Sequence, residues 1–134
     1  MKQLLKYSLL WLLPLILFAN HIHWQGNYDK ALHQAHSEHK PLLVLVVKKN
    51  DILIHDILKE TLMNQPYIDT INEKMIAVMV TYEGCSSYPI EMYYTTIFPA
   101  LFFVDTQTET FIAEPLYGDT IRVDSLLKIM NNLQ

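Results

Sequence analysis

Six consecutive apolar residues at positions 42–47 (LLVLVV) constrain this chain more than any other feature. Pro41 precedes them and Lys48-Lys49 follows. A run so short and so rich in β-branched side chains suits a central strand buried on both faces, because a buried helix takes a longer run. Two further runs repeat the pattern, at residues 75–80 (MIAVMV) and at residues 100–104 (ALFFV), the second directly after Pro99. Strands buried on both sides need cover on both sides, so the segments between them should supply helices.

They carry the right periodicity. Tyr28, Ala31, Leu32 and Ala35 recur at helical spacing within residues 27–39, and the pattern ends before Lys40-Pro41, where the residue preceding proline disfavours helix. After the first strand, Ile54, Ile57, Leu58, Thr61 and Leu62 form a second apolar stripe. Asn50 or Asp51 is expected to cap that helix by accepting its orphan N–H groups. Asn64 and Pro66 end or kink it, and residues 67–71 suggest another turn. Residues 82–88 read as a loop and residues 89–94 as one or two helical turns. Residues 110–113 read as a returning antiparallel strand, broken by Pro115 and Gly118. Asp124 is expected to cap a last helix with the stripe Leu126, Leu127, Met130 and Leu133. Strands alternating with helices imply right-handed crossovers and a mostly parallel sheet, with the final hairpin as an antiparallel edge. The fold class is therefore α/β, a three-layer sandwich with a mixed sheet of four to five strands flanked by helices.

The first residues read as an address. Lys2 and Lys6 precede an apolar run at residues 7–18 (YSLLWLLPLILF), and Ala19 is a small residue at a cleavage position. That layout is a secretory signal peptide. An uncleaved anchor is the alternative, although the run falls short of the roughly 20 residues a bilayer span takes. Cleavage leaves residues 20–134 as one domain. With Lys2 and Lys6 gone, the formal charge moves from −4 to −6. An acidic domain without a basic cluster does not suit nucleic acid, whose affinity rests on cations against phosphate. The single cysteine, Cys85, cannot close an internal bridge. The residues imply no cofactor.

Trp24, Tyr28, Ala31, Ala35 and Lys40-Pro41, followed by the run at 42–47, resemble the opening of extracytoplasmic thioredoxin-like domains. Residues 98–105 (FPALFFVD) are similar to the thioredoxin stretch that contains the cis-proline, and Leu116-Tyr117-Gly118 to the glycine turn before the last helix. The resemblance covers roughly residues 22–133. It implies a thioredoxin-like sandwich, a cis bond before Pro99, and a C–x–x–C pair at the start of the helix after the first central strand. Here that pair is missing. The best register puts Asp51 and Ile54 at the two cysteine positions and His55 just beyond. Disulfide exchange needs one thiolate to attack and a second thiol to resolve the mixed disulfide. Asp51 and Ile54 supply neither, so the family's oxidoreductase activity does not carry over.

Ligands of an open parallel sheet gather outside the carboxyl ends of its strands. The residues expected at that edge are Lys48, Lys49, Asn50, Asp51, His55, Cys85, Tyr88, Phe98 and Pro99. Cys85 is either a packing cysteine or a lone thiol able to form mixed disulfides. The aromatics Tyr82, Tyr88, Tyr93, Tyr94 and Phe98 read as core or as an apolar groove. His33, His36 and His39 recur every three residues, which on a helix keeps them near one exposed side. They are weak metal candidates, since no cysteine or carboxylate completes a set. The leading expectation is a non-catalytic module in the periplasm or another extracytoplasmic space that binds a protein or peptide of the cell envelope, with membrane attachment only if the leader is retained. A single-thiol redox protein acting through Cys85 and a histidine-rich metal-binding protein are the alternatives.

Overall fold

The computed structural model describes residues 21–133 apart from residues 64, 85 and 86. The proposed leader at residues 1–19 and Cys85 therefore lie outside the described residues. The described residues form, in chain order, β1 (Trp24–Gln25), α1 (Tyr28–Glu38), β2 (Leu42–Lys48), α2 (Leu53–Glu60), α3 (Gln65–Lys74), β3 (Ile76–Tyr82), β4 (Ala100–Asp105), β5 (Thr110–Phe111), β6 (Leu116–Tyr117), a short 3-10 turn at Gly118–Thr120 and α4 (Val123–Asn132). The sheet order is β1-β3-β2-β4-β5, with β6 also paired to β4. β1, β3 and β2 run parallel, and β4 lies antiparallel to β2, β5 and β6. This is a mixed sheet with helices on both faces.

The central run occupies the middle of the sheet because both of its faces are apolar. Leu42, Val44 and Val46 point toward α1, whose Tyr28, Ala31 and Ala35 pack with Ile76, Val78, Val80, Phe102 and Val104. Leu43, Leu45 and Val47 point the other way, where Ile57, Leu62, Tyr67, Ile68, Ile71, Leu126 and Met130 of α2, α3, α4 and their junctions cover them together with Ala77, Leu101 and Phe103. Small residues on α1 let it sit close to the sheet. Asn27 starts that helix by accepting the Lys30 N–H at 3.0 Å, and His39 ends it in the left-handed region at φ 55°.

Several expectations need correction. Neither Asn50 nor Asp51 is the N-cap of α2: Ile52 holds that position, without a side-chain cap bond, and is 82% exposed. Arg122, not Asp124, precedes α4, and Leu127 of the expected stripe is exposed while Leu126 and Met130 are buried. The segment at 67–71 is part of a ten-residue helix, α3, with Pro66 in its first turn, a position where a missing N–H costs nothing. Residues 90–93 form turns rather than a helix; the Tyr93 N–H reaches the Pro89 carbonyl at 3.3 Å. The return after β4 is shorter than residues 110–113, and β3 extends through Tyr82.

Candidate functional site

β2, β3 and the residue pair before β4 converge on one edge. Lys48, the last residue of β2, is in register with Tyr82, the last residue of β3. The Lys48 ammonium lies 5.9 Å from the centre of the Phe98 ring, and the Tyr82 and Phe98 rings are 5.2 Å apart in a tilted arrangement. A cation so placed over an aromatic face is attracted by the ring quadrupole. Lys48, Tyr82 and Phe98 thus form a basic–aromatic corner. Of the aromatics expected near this edge, Tyr82 is the one whose register with Lys48 places it in the corner.

The peptide bond between Phe98 and Pro99 is cis, and Pro99 is buried. The Pro99 carbonyl accepts the Gly118 N–H at 2.8 Å, which ties the turn after β6 to the corner. Phe98 is half-buried, and its N–H takes part in no backbone hydrogen bond with the described residues. Thr95 braces the approach: its hydroxyl donates to the Ile97 carbonyl at 2.7 Å and accepts the Ile97 N–H at 3.0 Å.

The loop after β2 carries the remaining expected residues. Lys49 and Asn50 are exposed, and Asn50 sits in the left-handed region at φ 63°. Asparagine tolerates that region better than most residues. Asp51 is half-buried, and its N–H donates to the Lys48 carbonyl at 3.2 Å. Ile54 packs against the core beneath α2, so it contributes packing alone. His55 is exposed one residue further on. Lys49 also borders a cleft of about 550 Å³ with Trp24, Met79, Thr81 and Glu83.

Tyr88 falls on the α1 side of the sheet, packed against the cluster that contains Tyr93 and Phe102. Burial raises its pKa, with the nearby Tyr82 adding to the effect. The five aromatics divide: Tyr93 is core, Tyr94 is exposed, and Tyr82, Tyr88 and Phe98 are half-buried. His33, His36 and His39 are all exposed, but His39 has left the helix, which breaks the three-residue repeat. Among the described residues no three His, Cys, Asp or Glu side chains gather as a metal site would require.

No protein-family model matches the sequence, and no curated protein matches it. Solved structures do. The chain is similar to a DsbH oxidoreductase at 19% identity and a TM-score of 0.61, over 84% of this chain and 87% of that one. A thioredoxin from Thermus thermophilus superposes with a TM-score of 0.67 at 14% identity, over 84% of this chain and 86% of that one. The C-terminal domain of Neisseria meningitidis DsbD in its oxidised form gives 0.60 at 18% identity, over 79% and 92%. Sheet order and these likenesses together make the chain a thioredoxin-fold protein with a single cysteine and no C–x–x–C pair.

Proposed function

We infer that this chain is an exported, non-catalytic binding module that takes an extended peptide along the Lys48–Phe98 corner. The observation that carries the reading is the retained corner beside a lost nucleophile. One cysteine in the whole sequence cannot run a dithiol cycle. The half-buried Phe98, with its N–H outside every backbone ladder, offers an extended segment a main-chain partner of the kind used in strand addition. Lys48 and Tyr82 beside it supply charge and an apolar surface for the side chains of that segment. Export rests on the leader-like arrangement of Lys2, Lys6, residues 7–18 and Ala19. Among the described residues no helix is long and apolar enough to cross a membrane.

Two measurements test it. Insulin reduction in dithiothreitol should run no faster with the protein than without; robust turnover overturns the non-catalytic reading. A pull-down from envelope extract should return the same partners with wild type and Cys85→Ser, and lose them with Phe98→Ala. Partners that are disulfide-linked and vanish with Cys85→Ser would establish the competing single-thiol reading, which rests on Cys85 being the one cysteine of a chain read as exported.

A further inference from the structure

Among the described residues one helix covers the α1 face of the sheet, whereas three cover the other. The remaining cover on the α1 side comes from the turns at residues 87–97, and a cleft of about 460 Å³ lies between those turns and α1. Leu32, Tyr88 and Met92 give it apolar walls, Tyr28 lines it from within, and Asp29 and Glu109 border it. Ion pairs among the described residues join Lys40 to Glu38 and Arg122 to Asp124, so neither bordering carboxylate has a cationic partner there.

The buried tyrosines beside the cleft have an unspent donor. The Tyr28 and Tyr93 hydroxyls lie 2.7 Å apart, and both residues are more than nine-tenths buried. Two hydroxyls sharing one hydrogen bond use one O–H. Whichever donates, the other O–H has no acceptor among the described residues. The cleft therefore presents aromatic and apolar walls bordered by two exposed carboxylates that have no cationic partner among the described residues.

We propose that this cleft receives a lysine or arginine side chain of a partner polypeptide. A cation answers Asp29 and Glu109 and is attracted by tyrosine faces, and its aliphatic stem lies along Leu32 and Met92. A neutral apolar occupant would desolvate two carboxylates without return. An anion is repelled, and two carboxylates without a third donor make a poor metal site. The proposal does not depend on peptide pairing at Phe98.

The test is an amide-resolved NMR titration of the full chain with end-blocked Ala-Lys-Ala, and with the isosteric norleucine peptide as control. The lysine peptide should shift the amides of Leu32, Met92 and Glu109 saturably. Glu109→Asn removes the charge while keeping a residue that accepts Glu109's left-handed backbone at φ 53°. That variant should bind at least about threefold more weakly, the scale of a partly exposed ion pair. Equal shifts from the norleucine peptide would reduce the cleft to a non-specific apolar patch and overturn the proposal. So would lysine binding that Glu109→Asn does not weaken, shifts confined to other residues, or no shifts at all.

Discussion

The Gly118 N–H donates to the Pro99 carbonyl at 2.8 Å, joining the turn after β6 to the residue that follows Phe98 in the Lys48–Tyr82–Phe98 corner. Gly118 makes that bond at φ 53°, where a side chain is strained, and a Cβ there would meet the Ile97 methyl group at 3.4 Å. Gly118→Ala should therefore cost about 1–2 kcal/mol, read from urea denaturation. It should also shift the amides of Phe98 and Ala100, since the bond reports on both segments. Unchanged stability would mean that the turn relaxes without cost.

The Tyr28–Tyr93 hydroxyl pair should behave as a unit. Removing one hydroxyl leaves the other buried without its partner, so Tyr28→Phe or Tyr93→Phe should each cost about 1–3 kcal/mol. The double variant removes both polar groups and should cost clearly less than the two single losses added together. Additive losses would show that the hydroxyls do not depend on each other.

The same pair sets a response to alkali. Burial raises the Tyr93 pKa well above its usual value near 10.0, and the bond to Tyr28 adds to this. Burial also raises Tyr28, with the Tyr93 bond partly opposing. Native tyrosines thus hold protons that the unfolded chain has released, and the linked stability is complete below pH about 10 and lost as pH rises through the native values. The urea midpoint should fall above pH about 10, and Tyr93→Phe should flatten the fall. An equally steep fall in that variant would place the titration elsewhere.

How far the sequence could be read depended on how much of an element is written in its own residues. The run at 42–47 declared a strand because each of its faces is apolar independently, and the same holds for 100–104. β1 and β6 gave no such sign: each is two half-buried residues whose strand character comes from a neighbour already in place, β3 for Trp24 and β4 for Leu116. Asn50 looked like a cap by residue type, yet the chain uses it for a left-handed turn and lets the helix begin two residues later. At the site, Phe98 and Pro99 were legible through resemblance and Lys48 through its place at the carboxyl end of the strand at 42–47. Tyr82 was legible as one of several aromatics near the edge, whereas its pairing opposite Lys48 comes from strand register, and Glu109 reaches the cleft beside α1 only through a hairpin turn that brings distant residues together.

Asp51 and Ile54 can be tested as the vacated cysteine positions. Asp51→Cys with Ile54→Cys, in a Cys85→Ser background, should oxidise to an internal disulfide with loss of two hydrogens by mass, and should reduce insulin where the parent does not. The pair would sit just before and within the first turn of α2, where helix-terminal N–H groups favour thiolate. Two thiols that remain unpaired under mild oxidant would show that the register is wrong.

Asn72 holds the start of the fold in place. Its Oδ1 accepts the His23 N–H at 2.9 Å and its Nδ2 donates to the His21 carbonyl at 2.8 Å. Between those two residues Ile22 is 3% exposed, so the clamp also seats an apolar side chain in the core. β1 then begins at Trp24 with a register of two residues against β3. Two ladder positions alone stabilise little, since each hydrogen bond contributes about 0.5–1.5 kcal/mol net. Asn72→Ala should therefore release residues 21–25 before the rest of the domain opens. Amide exchange at Trp24 and Gln25 should accelerate by about tenfold or more while exchange in β2 stays unchanged, the behaviour of a local rather than a global opening. Acceleration shared equally by β2 would mean that β1 unfolds only with the whole sheet, and no acceleration would show that Ile22 and the β3 pairing suffice without the clamp.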